Sequence, residues 1–265
     1  MIRTLQRCVT GHSIWLTDSL FQSRMGVFRF KKFEVINERS AMKVNTDGVL
    51  LGAAMTIREG DRCLLDIGTG TGTIALMAAQ RVCRTDWHID AIDIDEPSAS
   101  EAGMNFQNSP WSGSLHAHNM SLDQFAQSLS PDRTYDVIFS NPPYFEDSLT
   151  APDERKSTAR HTSEGLSYRD IFEFAKERLA DQGRVCLVLP ADQEMALCRY
   201  ARMCGLHHFR ILRIRTVPRK APGRIVAEFS RVRTDSPAEE MLTIQNEGQY
   251  TQEYLSLMHD FYLFA

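Results

Sequence analysis

Three groups of residues in this sequence are spaced for chemistry: an acid followed by alternating glycines, a second acid further along, and an Asn-Pro-Pro-Tyr run. The first is Leu65-Asp66-Ile67-Gly68-Thr69-Gly70-Thr71-Gly72-Thr73. An apolar strand pattern ends there in an acid, and Gly68, Gly70 and Gly72 turn the chain into a helical pattern. Glycine is required where backbone must approach a ligand closely or take positive φ. The dinucleotide fingerprint G-x-G-x-x-G/A wants a small apolar residue at 73. Thr73 stands there instead, and the third glycine comes one position early. The loop therefore suits S-adenosylmethionine better than NAD, because no pyrophosphate has to be cradled. The plain alternative is a tight strand-to-helix turn with no ligand.

Asp93 ends the next strand pattern, where an acid can accept hydrogen bonds from the ribose hydroxyls of an adenosine ligand. Asp95 is a second candidate, further into the turn. Asn119 stands where a third, short strand should end, placed either to bond an adenine or to cap the next turn. His116 and His118 share one face of that strand, with no third ligand near in sequence, so no metal is expected.

Ser140-Asn141-Pro142-Pro143-Tyr144 ends a fourth strand pattern. Two consecutive prolines fix the backbone and remove two N–H donors, leaving carbonyl oxygen and the Asn141 side-chain oxygen near the site. Two rigid acceptors are what a planar exocyclic amine needs. They take its two protons and draw its lone pair towards a nucleophilic form. Tyr144 offers a flat face on which a base can stack, a contact worth about 1–3 kcal/mol. Asn141, Pro142, Pro143 and Tyr144 are thus the candidate catalytic residues.

Strands alternating with helices must position these groups. The pattern at 63–67 reads as a buried strand, those at 88–94, 135–140 and 184–189 as further strands and 114–118 as a short one, with helices at 73–81 and about 96–108. Such alternation argues a mostly parallel sheet with right-handed crossovers, whose ligands bind beyond the carboxyl ends of the strands. Before it, Phe28 to Val35 alternates apolar and basic residues with period two, a strand or hairpin arm with one cationic face. Thr46-Asp47-Gly48 precedes a helix of small residues. After it come strands near 209–216 and 223–231 and a helix near 250–260. Phe145 to Ser167 is polar and aperiodic, and a connection of that length suggests a lid, a binding loop or disorder.

Composition narrows the class. Thirty-four acids against 30 bases leave a net charge of −4, with 43% hydrophobic residues among 265. That excludes a wholly basic coat protein and a highly charged disordered chain. Cysteines at 8, 63, 83, 186, 198 and 204 form no CxxC pair and read as reduced thiols of a cytoplasmic protein. No apolar run is long enough for a membrane span. The oligomeric state is not legible, and a monomer is expected. Between Arg210 and Arg233 eight basic residues face Glu228 alone, a density that suits nucleic-acid phosphates. Lys31 and Lys32, Arg155 and Arg160, and Arg213, Arg215, Arg219 and Lys220 are the candidate RNA contacts.

Taken together, these motifs resemble the bacterial adenine-N6 methyltransferases that modify position 37 of a valine tRNA. The resemblance covers roughly residues 26–265. It rests on Phe28-x-Phe30-Lys31-x-Phe33, Ala41-Met42-Lys43-Val44-x-Thr46-Asp47-Gly48-x-Leu50-Leu51-Gly52-Ala53, the glycine loop, Asn108-Ser109-Pro110-Trp111, the Asn-Pro-Pro-Tyr run, Ala159-Arg160 and the terminal Phe261-Tyr262-Leu263-Phe264. It implies an α/β, Rossmann-like class I methyltransferase with a mostly parallel seven-stranded sheet, S-adenosylmethionine as donor, and tRNA as partner. Asp66, Gly68, Gly70 and Gly72 would line the methionine end of the cofactor, Asp93 the ribose and Asn119 the adenine. Thr46 and Asp47 would lie near the cofactor, and Asn141 to Tyr144 would hold the target base. Asn119 stands where such enzymes often have Asp, which would weaken adenine recognition without abolishing it.

A glutamine-amide methyltransferase acting on a release factor would use the same Asn-Pro-Pro-Tyr chemistry, and adenine methylation of rRNA or DNA stays within the favoured class. The implied organisation is a 26–58 hairpin and helix packed on a 59–265 methyltransferase domain. Residues 1–24 have no counterpart, so 1–25 are expected to be an extension, with Met25 the natural start.

Overall fold

The structure is a computed structural model that describes residues 26–144 and 165–265. The expected extension at 1–25, most of the 145–167 loop, and Arg155 and Arg160 lie outside the described residues.

The chain opens with a hairpin, β1 (Val27–Arg29) paired antiparallel to β2 (Glu34–Ile36). Helix α1 (Thr46–Ala54) follows, then the alternation β3 (Cys63–Ile67), α2 (Thr73–Arg81), β4 (His88–Asp93), α3 (Glu96–Gln107), β5 (Leu115–Asn119), α4 (Leu122–Ser128), β6 (Tyr135–Ser140). Beyond the loop come α5 (Tyr168–Arg178), β7 (Leu179–Pro190), α6 (Glu194–Met203), β8 (His207–Arg215), β9 (Arg224–Ser230), β10 (Ala238–Thr243) and α7 (Gln252–Met258).

The central sheet has the order β10-β8-β9-β7-β6-β3-β4-β5. Only β9 runs against the others, pairing antiparallel with β7 and β8. The sheet thus holds eight strands where seven were expected. The extra one, β10, runs parallel to β8 at the edge, and its first four residues are exposed. An edge strand of sequence Ala-Glu-Glu-Met offers no apolar alternation, so its pattern could not be read beforehand.

Alternation of side chains splits the strands between two cores. Leu64, Ala91, Val137, Cys186 and Val226 face α1, α2 and α7. Their neighbours Leu65, Ile92, Ile138, Val185 and Ile225 face α4, α5 and α6. Helix α1 is buried from Gly48 to Ala54, which is why it is apolar all round rather than amphipathic. Its cap is Asn45, whose side chain accepts from Gly48 N–H at 2.8 Å, not Thr46 or Asp47.

Buried charge fastens the N-terminal part to the sheet. Arg184 on β7 is fully buried and bonds both carboxylate oxygens of Asp61 and the Thr56 carbonyl. Glu228 on β9, equally buried, accepts from Thr56 N–H at 2.9 Å and from Arg210 at 2.7 Å. A buried ion left without its partner costs about 3–5 kcal/mol, so these pairs fix the register between α1 and the sheet.

The hairpin is tied to the alternating part through α3. Glu101, fully buried, accepts the main-chain N–H groups of Glu38, Arg39 and Ser40 at 2.7–3.2 Å. Asn105 exchanges two bonds with Ile36 and donates to the Thr71 carbonyl at 2.8 Å. One helix therefore holds both the 36–40 segment and the glycine loop.

Candidate active site

Strands β3 and β6 are parallel neighbours, Leu64 opposite Val137 and Asp66 opposite Phe139. Their carboxyl ends therefore carry the glycine loop and the Asn-Pro-Pro-Tyr run side by side. Ser140 Oγ donates to the Ile67 carbonyl at 2.6 Å and joins the two ends directly. The crevice expected at this edge is thus built from adjacent strands rather than brought together by long loops.

In the loop Gly68, Gly70 and Gly72 have φ of 71°, 56° and 79°. The most constrained is Gly72, the N-cap of α2, where an added Cβ would lie 2.5 Å from Phe106. Asp66 is fully buried; Oδ2 accepts from Thr69 Oγ1 at 2.8 Å, and Oδ1 has no partner among the described residues. Burial raises its carboxyl to about 7, with the nearby Asp93 adding to the rise. Asp93, at the end of β4, accepts from Gly70 N–H at 2.8 Å and Asp95 N–H at 2.9 Å. Each of its oxygens keeps a lone pair for a further donor.

Such a site fits S-adenosylmethionine on three observations. A buried carboxylate oxygen without a donor awaits an ammonium or amide. A loop of left-handed glycines lets backbone come close. A second acid is left with accepting capacity at the neighbouring strand end. One apolar group completes it: Ile94, directly after Asp93, is 76% exposed, a surface on which a purine face can pack. Sequence reasoning missed Ile94 because it continues an apolar strand; only its exposure distinguishes it.

The other cofactor candidates are placed differently from one another. Asn119, the last residue of β5, donates both amide hydrogens, to the Asp93 and Ile94 carbonyls at 3.0 Å. Its remaining group for a ligand is the acceptor oxygen. Asp95 is occupied as the N-cap of α3, accepting from Ser98 N–H and Oγ. Thr46 begins α1. Asp47 stands on the other side of the crevice, bonded to Tyr144 and Arg224.

Asn141 is buried and is met from three directions. Its Oδ1 accepts from the Tyr144 hydroxyl at 2.8 Å, and its Nδ2 faces Asn45 Oδ1 at 3.4 Å and Met42 Sδ at 3.6 Å. Met42 also borders the glycine loop: its carbonyl would be 3.4 Å from a Cβ on Gly70. The segment 40–47 therefore runs between the loop and Asn141 and lines both halves of the crevice. Pro142 is buried and Pro143 exposed. Tyr144 is half-buried, and burial followed by the Asp47 charge pushes its phenol well above the usual tyrosine range, so it stays protonated.

The basic tract proves largely self-paired. Arg210 pairs with Glu228 and Glu240, Arg213 with Glu194 and Glu239, and Arg224 with Asp47. Arg215 donates to Thr243 Oγ1 and the Pro218 carbonyl. Lys31 caps the chain end, donating to the carbonyls of His259 and Ala265. Lys32, Arg219 and Lys220 are exposed and make no side-chain hydrogen bond or ion pair among the described residues. Arg219 and Lys220 sit in the turn from β8 to β9, at the carboxyl end of β8 and hence on the crevice side of the sheet. Of the acids that neutralise the tract, Glu194, Glu239 and Glu240 flank it in sequence and Asp47 lies far before it, so a count confined to 210–233 overstated its free charge.

His118 bonds Asp90 at 3.1 Å within a cluster that includes Arg133 and Tyr135. Among the described residues no group of His, Cys, Asp and Glu has the arrangement of a metal site. No helix among them is long and apolar enough to cross a membrane.

Comparison with known proteins places the chain in a family. Residues 40–198 match the family described as "Methyltransferase small domain". A protein of Parabacteroides distasonis named tRNA1(Val) (adenine(37)-N6)-methyltransferase is 40% identical over 239 residues, 89% of this chain and 97% of that protein. A protein of the same name from Serratia proteamaculans is 38% identical over 92% of each chain. Among solved structures, that of a predicted O-methyltransferase from Agrobacterium tumefaciens superposes with a TM-score of 0.59 at 15% identity, covering 81% of this chain and 96% of that one.

Proposed function

Because the chain belongs to the tRNA1(Val) (adenine(37)-N6)-methyltransferase family, with a methyltransferase small domain at its centre, we propose that it methylates N6 of adenine 37 in the anticodon loop of a valine tRNA. The single observation that carries this reading is the buried Asn141 oxygen at the end of β6, beside the glycine loop of β3.

S-adenosylmethionine, the donor of this family, supplies an electrophilic methyl group on a sulfonium. Asp66, Gly68, Gly70 and Gly72 would hold its amino-acid end, Asp93 its ribose, and Ile94 with the Asn119 oxygen its adenine. The remaining steps belong to the chain's own side chains. Asn141 Oδ1 and the Pro142 carbonyl accept the two hydrogens of the adenine amine and turn its lone pair towards the glycine loop. Pro142 and Pro143 keep those acceptors from relaxing, and Tyr144 stacks on the base. Catalysis is then mainly positioning in a dry site, an effect able to supply about 7–11 kcal/mol. No strong base is required, since the amine can release its proton after it has been methylated.

The target base has to leave its stack, which is inexpensive in a single-stranded loop. Lys32, Arg219 and Lys220, which have no ion-pair partner among the described residues, would contact the flanking phosphates, with Arg155 and Arg160 as further candidates. Lys31, Arg213 and Arg215 hold the protein's own structure instead. We place the chain in the cytoplasm, acting as a monomer on tRNA; its free thiols at Cys63, Cys83, Cys186, Cys198 and Cys204 suit a reducing compartment.

The reading is tested with purified protein, labelled S-adenosylmethionine and two valine-tRNA transcripts, one with A37 and one with G37. Label should enter the first and not the second. Equal labelling of both would mean that another nucleotide is the acceptor. Label in neither, with transfer to a release factor, would move the acceptor to a glutamine amide.

A further inference from the structure

Arg224 belongs by sequence to the basic tract, yet its side chain is turned inward to the acceptor side of the crevice. Its Nε lies 2.8 Å from Asp47 Oδ2, and its guanidinium carbon is 5.2 Å from the centre of the Tyr144 ring. The Tyr144 hydroxyl in turn lies 3.1 Å from that same Asp47 oxygen and 2.8 Å from Asn141 Oδ1. A phenol has one hydrogen to donate, and here two acceptors compete for it.

We infer that Asp47 and Arg224 are positioning residues that provide an alternative acceptor for the Tyr144 proton, so that the Asn141 oxygen can be released to the incoming amine. This rests on the reading of Asn141 as the amine acceptor given above. Without substrate, the phenol donates to Asn141, whose buried oxygen would otherwise lack a donor. When an amine arrives, it supplies Asn141 with a better-placed hydrogen, and the phenol proton turns to Asp47. The move is a rotation about the ring–oxygen bond. The ring itself stays put, held by the guanidinium above it, an arrangement that Lys would reproduce poorly. Arg224 also holds Asp47 in place through its 2.8 Å bond, so the alternative acceptor is ready before the base enters. No bond is made or broken in this exchange; one proton changes its hydrogen-bond acceptor.

A phosphate contact and a positioning role predict opposite kinetics. With Arg224→Gln, kcat should fall about 10- to 100-fold, the loss of one charge-assisted interaction, while KM for tRNA and the Kd for S-adenosylmethionine stay within about threefold. The salt dependence of KM should be unchanged. Arg224→Lys should recover part of the kcat. In a Tyr144→Phe background, where there is no phenol proton to place, Arg224→Gln should cost less than about threefold more.

A raised KM with unchanged kcat and a shallower salt dependence would make Arg224 a phosphate contact and overturn the inference. Fully additive losses in the double variant would overturn it as well. Thermal melting and cofactor binding check that each variant folds. Where Arg224→Gln does not, the near-isosteric Asp47→Asn decides: a kcat-selective loss supports the role, and intact kcat with weakened cofactor binding returns Asp47 to the cofactor. Failure of the underlying reading looks different, because Asn141→Ala would then keep the wild-type kcat, or the wild-type protein would itself leave A37 unmethylated.

Discussion

Asp93 accepts the amide hydrogen of Gly70 at 2.8 Å, so the acid at the end of one strand is bonded to the glycine loop of its neighbour. In the proposed cofactor site the ribose and amino-acid halves would thereby be one unit. Asp93→Ala should weaken S-adenosylmethionine binding about 10- to 100-fold, the worth of a charged hydrogen bond plus loosening of the loop. Isothermal titration measures it, and an affinity unchanged within twofold would remove Asp93 from the site.

Burial raises the Asp66 carboxyl to about 7, against an ordinary 3.8. A ligand bearing an ammonium group favours the ionised form, so affinity for S-adenosylmethionine should climb with pH up to about 7 and level off above it. Below that pH, binding should release a proton. The sign for stability is the reverse. In the ligand-free protein the native state keeps a proton that the unfolded chain loses near 3.8, so this group's contribution to stability declines as pH rises from about 4 to about 7. Titrations in buffers of different ionisation enthalpy report the proton, and Asp66→Asn should flatten the profile.

Gly72 combines φ of 79° with a Cβ position 2.5 Å from Phe106. Gly72→Ala should cost about 1–3 kcal/mol in backbone strain and a similar amount in overpacking. Adding Phe106→Ala relieves the second cost only. Urea unfolding should therefore show the double variant more stable than the sum of the two single changes, and strict additivity would argue against the clash.

Within the basic tract, free and paired charges should separate by their response to salt. Arg219→Ala or Lys220→Ala should each reduce the slope of log K for tRNA against log salt by about 0.7–0.9. Arg213, which bonds Glu194 and Glu239, should lower the melting temperature when replaced by Ala and leave the slope unchanged. Filter binding over a range of salt concentrations distinguishes the two.

Strands β3, β4 and β6 at the centre were legible because each is a largely apolar run that carries a polar side chain at or next to its carboxyl end, as at Asp66, Asp93 and Asn141. Burial on both faces makes such runs continuous. Strand β10 was hidden by the opposite property, since an exposed edge carries charge and no alternation. The glycine loop and the Asn-Pro-Pro-Tyr run could be read because their chemistry is local in sequence. Pairings across long separations could not. Nothing in the spacing ties Arg224 to Asp47, Glu101 to the 38–40 backbone, or Arg184 to Asp61. Whether a surface arginine is free depends on acids whose proximity only the sheet register reveals, which is why Arg213 read as an RNA contact and is an internal ion pair.

The most direct test of the proposed activity is nucleoside mass spectrometry, with mapping to position 37, on valine tRNA from a strain lacking the gene and complemented with either the wild-type chain or Asn141→Ala. N6-methyladenosine should be absent in the deletion strain, restored by the wild type and not by the variant, while the purified variant still binds S-adenosylmethionine. Full restoration by Asn141→Ala, or an unmodified A37 with the wild-type chain present, would contradict the assignment of that amide as the amine's acceptor.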